Sequence, residues 1–135
     1  MKAIITVMLM TTMLNGAVAQ VSTIDMVRVK GEYEKEAVYF YENNWKLFRE
    51  EAVKGGYISG FELVKSAVDS SGVITMWLIT HYGDDASYGR SEENFRDIIK
   101  RVSPGGPKML NSVVRKDFIL GVEGYSGKTL VRGSK

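Results

Sequence analysis

The run Val73–His81, VITMWLITH, constrains this 135-residue chain more than any other stretch. Its β-branched and aromatic residues suit a strand. From Ile74 to Ile79 it is apolar on both faces apart from Thr75, because successive side chains on a strand point to opposite sides. Such a strand belongs in the middle of a sheet with both faces covered. Any fold for this chain must therefore set helices on one side of the strand and find other cover for the second side.

The flanking segments supply the helices. Thr23–Gly31 (TIDMVRVKG) alternates as a strand does. In Glu34–Lys54, Val38, Tyr41, Trp45, Phe48 and Ala52 recur at three- and four-residue spacing, which stacks them in one helical stripe. Gly55-Gly56 ends that helix, because glycine accepts the left-handed backbone of a C-cap. Tyr57–Val68 reads as a second strand, joined to the third by the turn residues Asp69-Ser70-Ser71-Gly72. Ser91 caps a second helix with the stripe Phe95, Ile98, Ile99 and Val102, and Ser103–Pro107 stops it. Val113–Val122 reads as a last strand, although its first half also suits a helix. The residues from about 123 onward read as a loose tail.

The order β-α-β-β-α-β predicts an α+β, ferredoxin-like fold, with a four-stranded antiparallel sheet and two helices on one face. The other face carries half of the doubly apolar strand. A second copy of the same sheet is the simplest cover, so a homodimer through the open sheet face is expected.

The N-terminus predicts export. Lys2 precedes an apolar run from Ala3 to Leu14, Asn15-Gly16 breaks it, and Ala17-Val18-Ala19 offers small residues for cleavage. The run is too short to span a bilayer, which takes roughly 20 apolar residues. Residues 1–19 thus read as a signal peptide and 20–135 as a single domain of 116 residues, secreted or periplasmic and with no membrane attachment after cleavage. There is no cysteine, which excludes structural disulfides and thiolate metal sites. A small exported domain without disulfides depends on core packing or oligomerisation. The formal charge is +2, and gives no electrostatic case for nucleic acid or an anionic membrane.

With these elements in place, the stretch YENNWKLFREEAVKGGYISGFELVKS (Tyr41–Ser66), followed by an aromatic strand and a polar turn, resembles small secreted proteins of the dimeric α+β barrel superfamily. The resemblance covers roughly Thr23 to Val122 and rests on Trp45, the Lys54-Gly55-Gly56 cap and the strand after it. It implies a shared cavity. Activities in that superfamily range from cofactor-free monooxygenases and lactone isomerases to haem-handling enzymes and plain binding modules, so the resemblance leaves the chemistry open.

Two motifs fail on inspection. Gly124–Thr129 ends like a phosphate-binding loop, but the glycine such a loop needs falls on Val122 and no helix-length segment follows. A calcium loop starting at Asp84 would put Ala86, Tyr88 and Phe95 at ligand positions, and none carries a carboxylate. The single histidine, His81, offers one imidazole per chain, so no metal site and no cofactor are expected. Haem could hang on one proximal histidine, but no other residue argues for it.

His81 is either an ordinary strand-end histidine or a working base. In a ferredoxin-like sheet the end of the third strand lies beside the start of the first, which is expected to bring His81 near Asp25 as a catalytic pair. By period two, His81 shares a face with Ile79, Trp77 and Thr75, and that face is expected to look into the barrel interior, with Met76 and Leu78 under the helices. Trp77, Thr75, Arg28, Trp45, Tyr88 and Arg90 are the candidate ligand-binding residues. Arg28 reads first as the partner of Glu62 or of a second subunit. Tyr82–Arg90 reads as a flexible loop at the mouth of a pocket lined by His81. The expected function is a binding module for a small apolar or weakly acidic ligand. The alternative is a cofactor-independent enzyme, monooxygenase- or isomerase-like, with His81 as general base.

Overall fold

A computed structural model describes residues 20–133; the signal peptide expected at 1–19 lies outside them. The protein is an α+β fold built on one four-stranded sheet. The strands are β1 (Val21–Lys30), β2 (Gly60–Lys65), β3 (Val73–Tyr82) and β4 (Ile119–Lys128). Their order is β2-β3-β1-β4 with every neighbouring pair antiparallel, an arrangement consistent with a ferredoxin-like sheet.

β3 is central, as its composition requires, and its two faces have different fates. Ile74, Met76, Leu78, Thr80 and Tyr82 are buried, while Thr75, Trp77, Ile79 and His81 are only partly so. The register carries the division to β1. Val21, Asp25, Val27 and Val29 pair with Tyr82, Leu78, Met76 and Ile74 on one face, and Ser22, Ile24, Met26 and Arg28 pair with His81, Ile79, Trp77 and Thr75 on the other. The helices pack on the first face. The Met76–Leu78 face lies beneath them and the Trp77–His81 face is turned away from them.

The long helix is a helix with an inserted turn. α1 (Glu34–Phe40) passes into a π-helical turn at Tyr41–Trp45 and then into α2 (Lys46–Lys54). The wider turn brings Asn44 inward beside Trp45, and both are buried. Ala37, Tyr41 and Trp45 then join Val27, Val29, Ile74, Met76, Leu78 and Phe118 in the main core. A second cluster joins Ala52 and Ile58 to Val21, Tyr82 and Ile98, the last from α4 (Ser91–Val102).

The turn before β3 forms as its residues predict. The Asp69 side chain accepts hydrogen bonds from the amides of Ser71 (2.8 Å) and Val73 (3.0 Å), and Gly72 takes φ +77°. Close against it, the Gly31 amide donates to the Gly72 carbonyl at 2.7 Å, and a Cβ on Gly31 would strike that same oxygen.

Two expectations need correction. The segment after β3 is no flexible loop: the Asp84 side chain accepts from the Ser87 amide at 2.7 Å and caps a short helix, α3 (Asp85–Gly89). Nor is the chain from residue 123 a loose tail. Arg115–Phe118 forms a helical turn, α5, and β4 then runs to Lys128, pairing Gly124 with Asp25 and Lys128 with Val21. Glycines and polar residues disguise β4 because it is an edge strand with little to bury. No helix among the described residues is long and apolar enough to cross a membrane.

Phe118 joins α5 to the core. It is fully buried, with its ring edge-on to Phe40 and Tyr41 at 5.7 and 6.3 Å. Phe118→Ala should lower the free energy of unfolding by about 3–5 kcal/mol in urea titration. A loss below about 1 kcal/mol would remove Phe118 from this role.

Candidate functional site: a cavity between the helices and the sheet

The residues expected to form one site fall into separate groups. His81 stands on the uncovered face with Thr75, Trp77 and Arg28, but Asp25 does not reach it. Asp25 lies opposite Leu78, three residues from Ser22, so the pleat turns it to the helix side. The expected His81–Asp25 pair therefore does not form. Ser22 occupies that place, with its Oγ 2.7 Å from His81 Nδ1, and Glu62 Oε2 is 3.3 Å from Nε2. Glu62 is thus engaged with His81, and Arg28 makes no ion pair among the described residues.

Tyr88 does not stand over His81. The Tyr88 ring packs edge-on against Tyr82 at 5.3 Å, on the helix side of β3, because the capped turn of α3 folds back toward the helices. His81 is one-fifth exposed and is not among the residues that line the cavity between the helices and the sheet.

A cavity of about 390 Å³ does exist on the other side of the sheet, and it gathers Asp25 and Trp45. Its apolar walls are Val27 and Leu78 from the sheet and Phe40, Trp45 and Phe48 from the long helix, and Ile99, Pro107 and Val122 complete the rim. Four polar side chains besides Asp25 face it: Tyr41, Asn44, Arg49 and Arg115. A mostly apolar cleft of this size with a few convergent polar groups is the usual form of a small-molecule site.

Arg49 is the most unusual of these. Its guanidinium lies over the Trp45 ring at 4.7 Å and the Phe95 ring at 3.9 Å, and Nε–H donates to Thr80 Oγ1 at 3.0 Å. It pairs with no carboxylate among the described residues. Burial lowers its pKa to about 10, with the Tyr82 phenol and Asp25 opposing the shift, so it is still charged at neutral pH. Stacking against two rings suits arginine, whose planar group is weakly hydrated.

Tyr41 raises a second demand. Its hydroxyl is buried and has no hydrogen-bond partner among the described residues. Burial pushes its pKa up. Arg115 stands near enough to oppose that shift, but outside hydrogen-bonding geometry. An unpartnered buried hydroxyl costs about 1–3 kcal/mol. Asn44, by contrast, is fully used. It donates to the carbonyls of Phe40 and Lys108 and accepts from the Lys108 amide, each at 2.8 Å. That peptide-like pairing pins the segment between α4 and α5 to the helix at the cavity rim.

Sequence reasoning missed Arg49, although the signal was present: it follows Trp45 by four residues and so lies on the apolar stripe. Tyr41 lies on the same stripe, whereas nothing local marks Arg115, which reaches the cavity only through the fold. Among the described residues no group of three or more histidine, aspartate or glutamate side chains could hold a metal ion. No protein-family model matches the chain, and a comparison with curated proteins finds no match either.

Asn44→Ala should cost about 2–3 kcal/mol, because it strands both backbone groups of Lys108. The amide of Lys108 should then exchange with solvent faster in native-state hydrogen exchange. Unchanged exchange there would show that the segment is held by other contacts.

Proposed function

We propose that the chain is an exported binding protein of the dimeric α+β barrel kind, which holds a small monoanionic organic acid in the cavity between its helices and its sheet. The observation that carries this reading is Arg49. A guanidinium stacked between Trp45 and Phe95, without a carboxylate partner among the described residues, has donors to spare toward the cavity. A planar carboxylate complements that fork with two parallel hydrogen bonds. Charge sets the number of negative groups: Arg49 and Arg115 against Asp25 leave one excess positive charge, which a monoanion cancels and a dianion overshoots. The rings of Phe40, Trp45 and Phe48 favour an aromatic or other planar body.

Benzoate tests this directly against its neutral isostere benzamide by isothermal titration calorimetry. Benzoate should bind in the micromolar to millimolar range, and benzamide at least about tenfold more weakly, a difference of about 1.4 kcal/mol. Arg49→Met should abolish benzoate binding while stability stays within about 1 kcal/mol, since it replaces an unpaired, desolvated cation with an apolar chain of similar length. Equal affinity for acid and amide, or benzoate binding that survives in Arg49→Met, would end the proposal.

A homodimer through the uncovered face is supported by what that face presents. Ile24, Met26, Trp77 and Ile79 are only partly buried, and Val64 and Tyr125 are 45% and 57% exposed beside them. A contiguous apolar surface of this kind marks an interaction site. Expressed with its own N-terminus in a bacterial host, the exported chain should begin at Gln20 by mass and sediment as a dimer, with Trp77→Glu sedimenting as a monomer. A wild-type monomer at micromolar concentration would remove the dimer, and a retained Met1 would remove export.

A further inference from the structure

We infer that Ser22, His81 and Glu62 form a hydrolytic site for short-chain acyl esters at one end of the uncovered sheet face, independent of the acid-binding cavity. Ser22 Oγ is 2.7 Å from His81 Nδ1, and Glu62 Oε2 is 3.3 Å from Nε2. These contacts assign the roles. An ionised glutamate only accepts hydrogen bonds, so Nε2 carries the ring proton and Nδ1 is left to accept the serine hydroxyl. That is the order of nucleophile, base and orienting acid by which a serine is activated. Each group stands on a different strand, Glu62 on β2, His81 on β3 and Ser22 on β1, so the sheet ladder holds them in place.

The neighbours leave room for a substrate. Gly60 lies opposite His81 and Gly127 opposite Ser22, so the row has side chains only on its two central strands. A methyl group built on Gly127 would touch nothing within 4 Å, and one on Gly60 would meet only His81 Cδ2 at 4.0 Å. The next row on this face carries Glu62 on β2 and then Ile79, Ile24 and Tyr125, which form an apolar ridge from β3 to β4. A small acyl group fits the open floor, whereas a long chain is carried up onto the ridge.

A donor for the developing oxyanion comes from Gln20, two residues before Ser22. Its side-chain amide donates to Ser59 Oγ at 2.6 Å, and Ser59 donates in turn to the His81 carbonyl at 3.1 Å. Arg132 Nη1 donates to the oxygen of that amide at 3.2 Å, and the amide's second N–H, without a partner among the described residues, is the donor we assign to the substrate. In the reaction, Ser22 Oγ adds to the ester carbonyl carbon as its proton passes to Nδ1. The bond to the alcohol oxygen breaks, and His81 returns the proton to the departing alkoxide. Water, deprotonated by the same nitrogen, then cleaves the acyl-serine, releasing the acid and restoring the hydroxyl.

The full chain can be assayed with p-nitrophenyl acetate and p-nitrophenyl octanoate and labelled with a fluorophosphonate. Ser22→Ala and His81→Ala should each lower acetate-ester hydrolysis at least about tenfold, and Glu62→Gln less. The octanoate ester should turn over more slowly than the acetate. The phosphonate adduct should map to Ser22 by peptide mass and disappear in His81→Ala. Benzoate binding in Ser22→Ala should match the wild type, which separates this site from the cavity. Hydrolysis unchanged in Ser22→Ala, an adduct on another residue, or labelling indifferent to His81 would overturn the inference. Should His81→Ala fail to fold, Ser22→Ala and Glu62→Gln, which remove no core side chain, decide it alone.

Discussion

Ten consecutive residue pairs, from Val21 with Tyr82 to Lys30 with Val73, join β1 to β3, and the rest of the structure depends on their register. A slip by one residue would turn every side chain of one strand to the wrong face. It would lift Val27 and Val29 out of the core and drive Met26 and Arg28 beneath the helices. The register is well specified because Val27 and Val29 on β1 and Ile74, Met76 and Leu78 on β3 form one apolar set on the helix side, against which Tyr41, Trp45 and Phe118 pack. It also determines the chemistry. The same alternation that buries Val27 sends Asp25 into the cavity and Ser22 to His81.

Much of this was legible in the residues, and the failures have physical causes. β3 announced itself through six almost uninterrupted apolar residues, and the long helix through its aromatic stripe. The turn at Asp69–Gly72 and the helix at Ser91 are local events, governed by side chains a few positions apart. β4 was half-missed because an edge strand draws its stability from backbone hydrogen bonds to β1 and needs little side-chain hydrophobicity; Gly121, Gly124 and Gly127 look like a tail until β1 is beside them. The π-turn at Tyr41–Trp45 has no sequence signature, since its backbone angles remain helical at both ends. Pairing His81 with Asp25 required the register to within one residue, which periodicity alone does not supply.

Arg49 sits in tension with stability. A desolvated guanidinium with one neutral hydrogen bond and two ring faces is weakly compensated by comparison with a bidentate ion pair. An apolar residue would satisfy the stripe at that position with less electrostatic cost. Tyr41 compounds the tension with a buried hydroxyl that nothing among the described residues satisfies. Two under-satisfied polar groups in one cavity wall are hard to explain as packing. They are what a preorganised site for a polar guest looks like before the guest arrives, because the groups that will bind it stay unpaired until then.

The sheet separates that cavity from the Ser22–His81–Glu62 cluster by the thickness of one backbone layer, and this separation has a consequence for any change made to either. Side chains on opposite faces of a strand share a backbone but few contacts, so their energetic effects should add. Asp25 and Ser22, three residues apart on β1, look in opposite directions and have no side-chain partner in common. The uncovered face can therefore be polar at one end, where glycines leave floor around Ser22, and apolar at its centre, where Ile24, Met26, Trp77 and Ile79 invite a second sheet. A dimer formed over that centre would leave the Ser22 end as the opening of the enclosed space. The doubly apolar strand with which the sequence is most insistent thus has one face for the core and one for association, and the polar chemistry is kept to its margins.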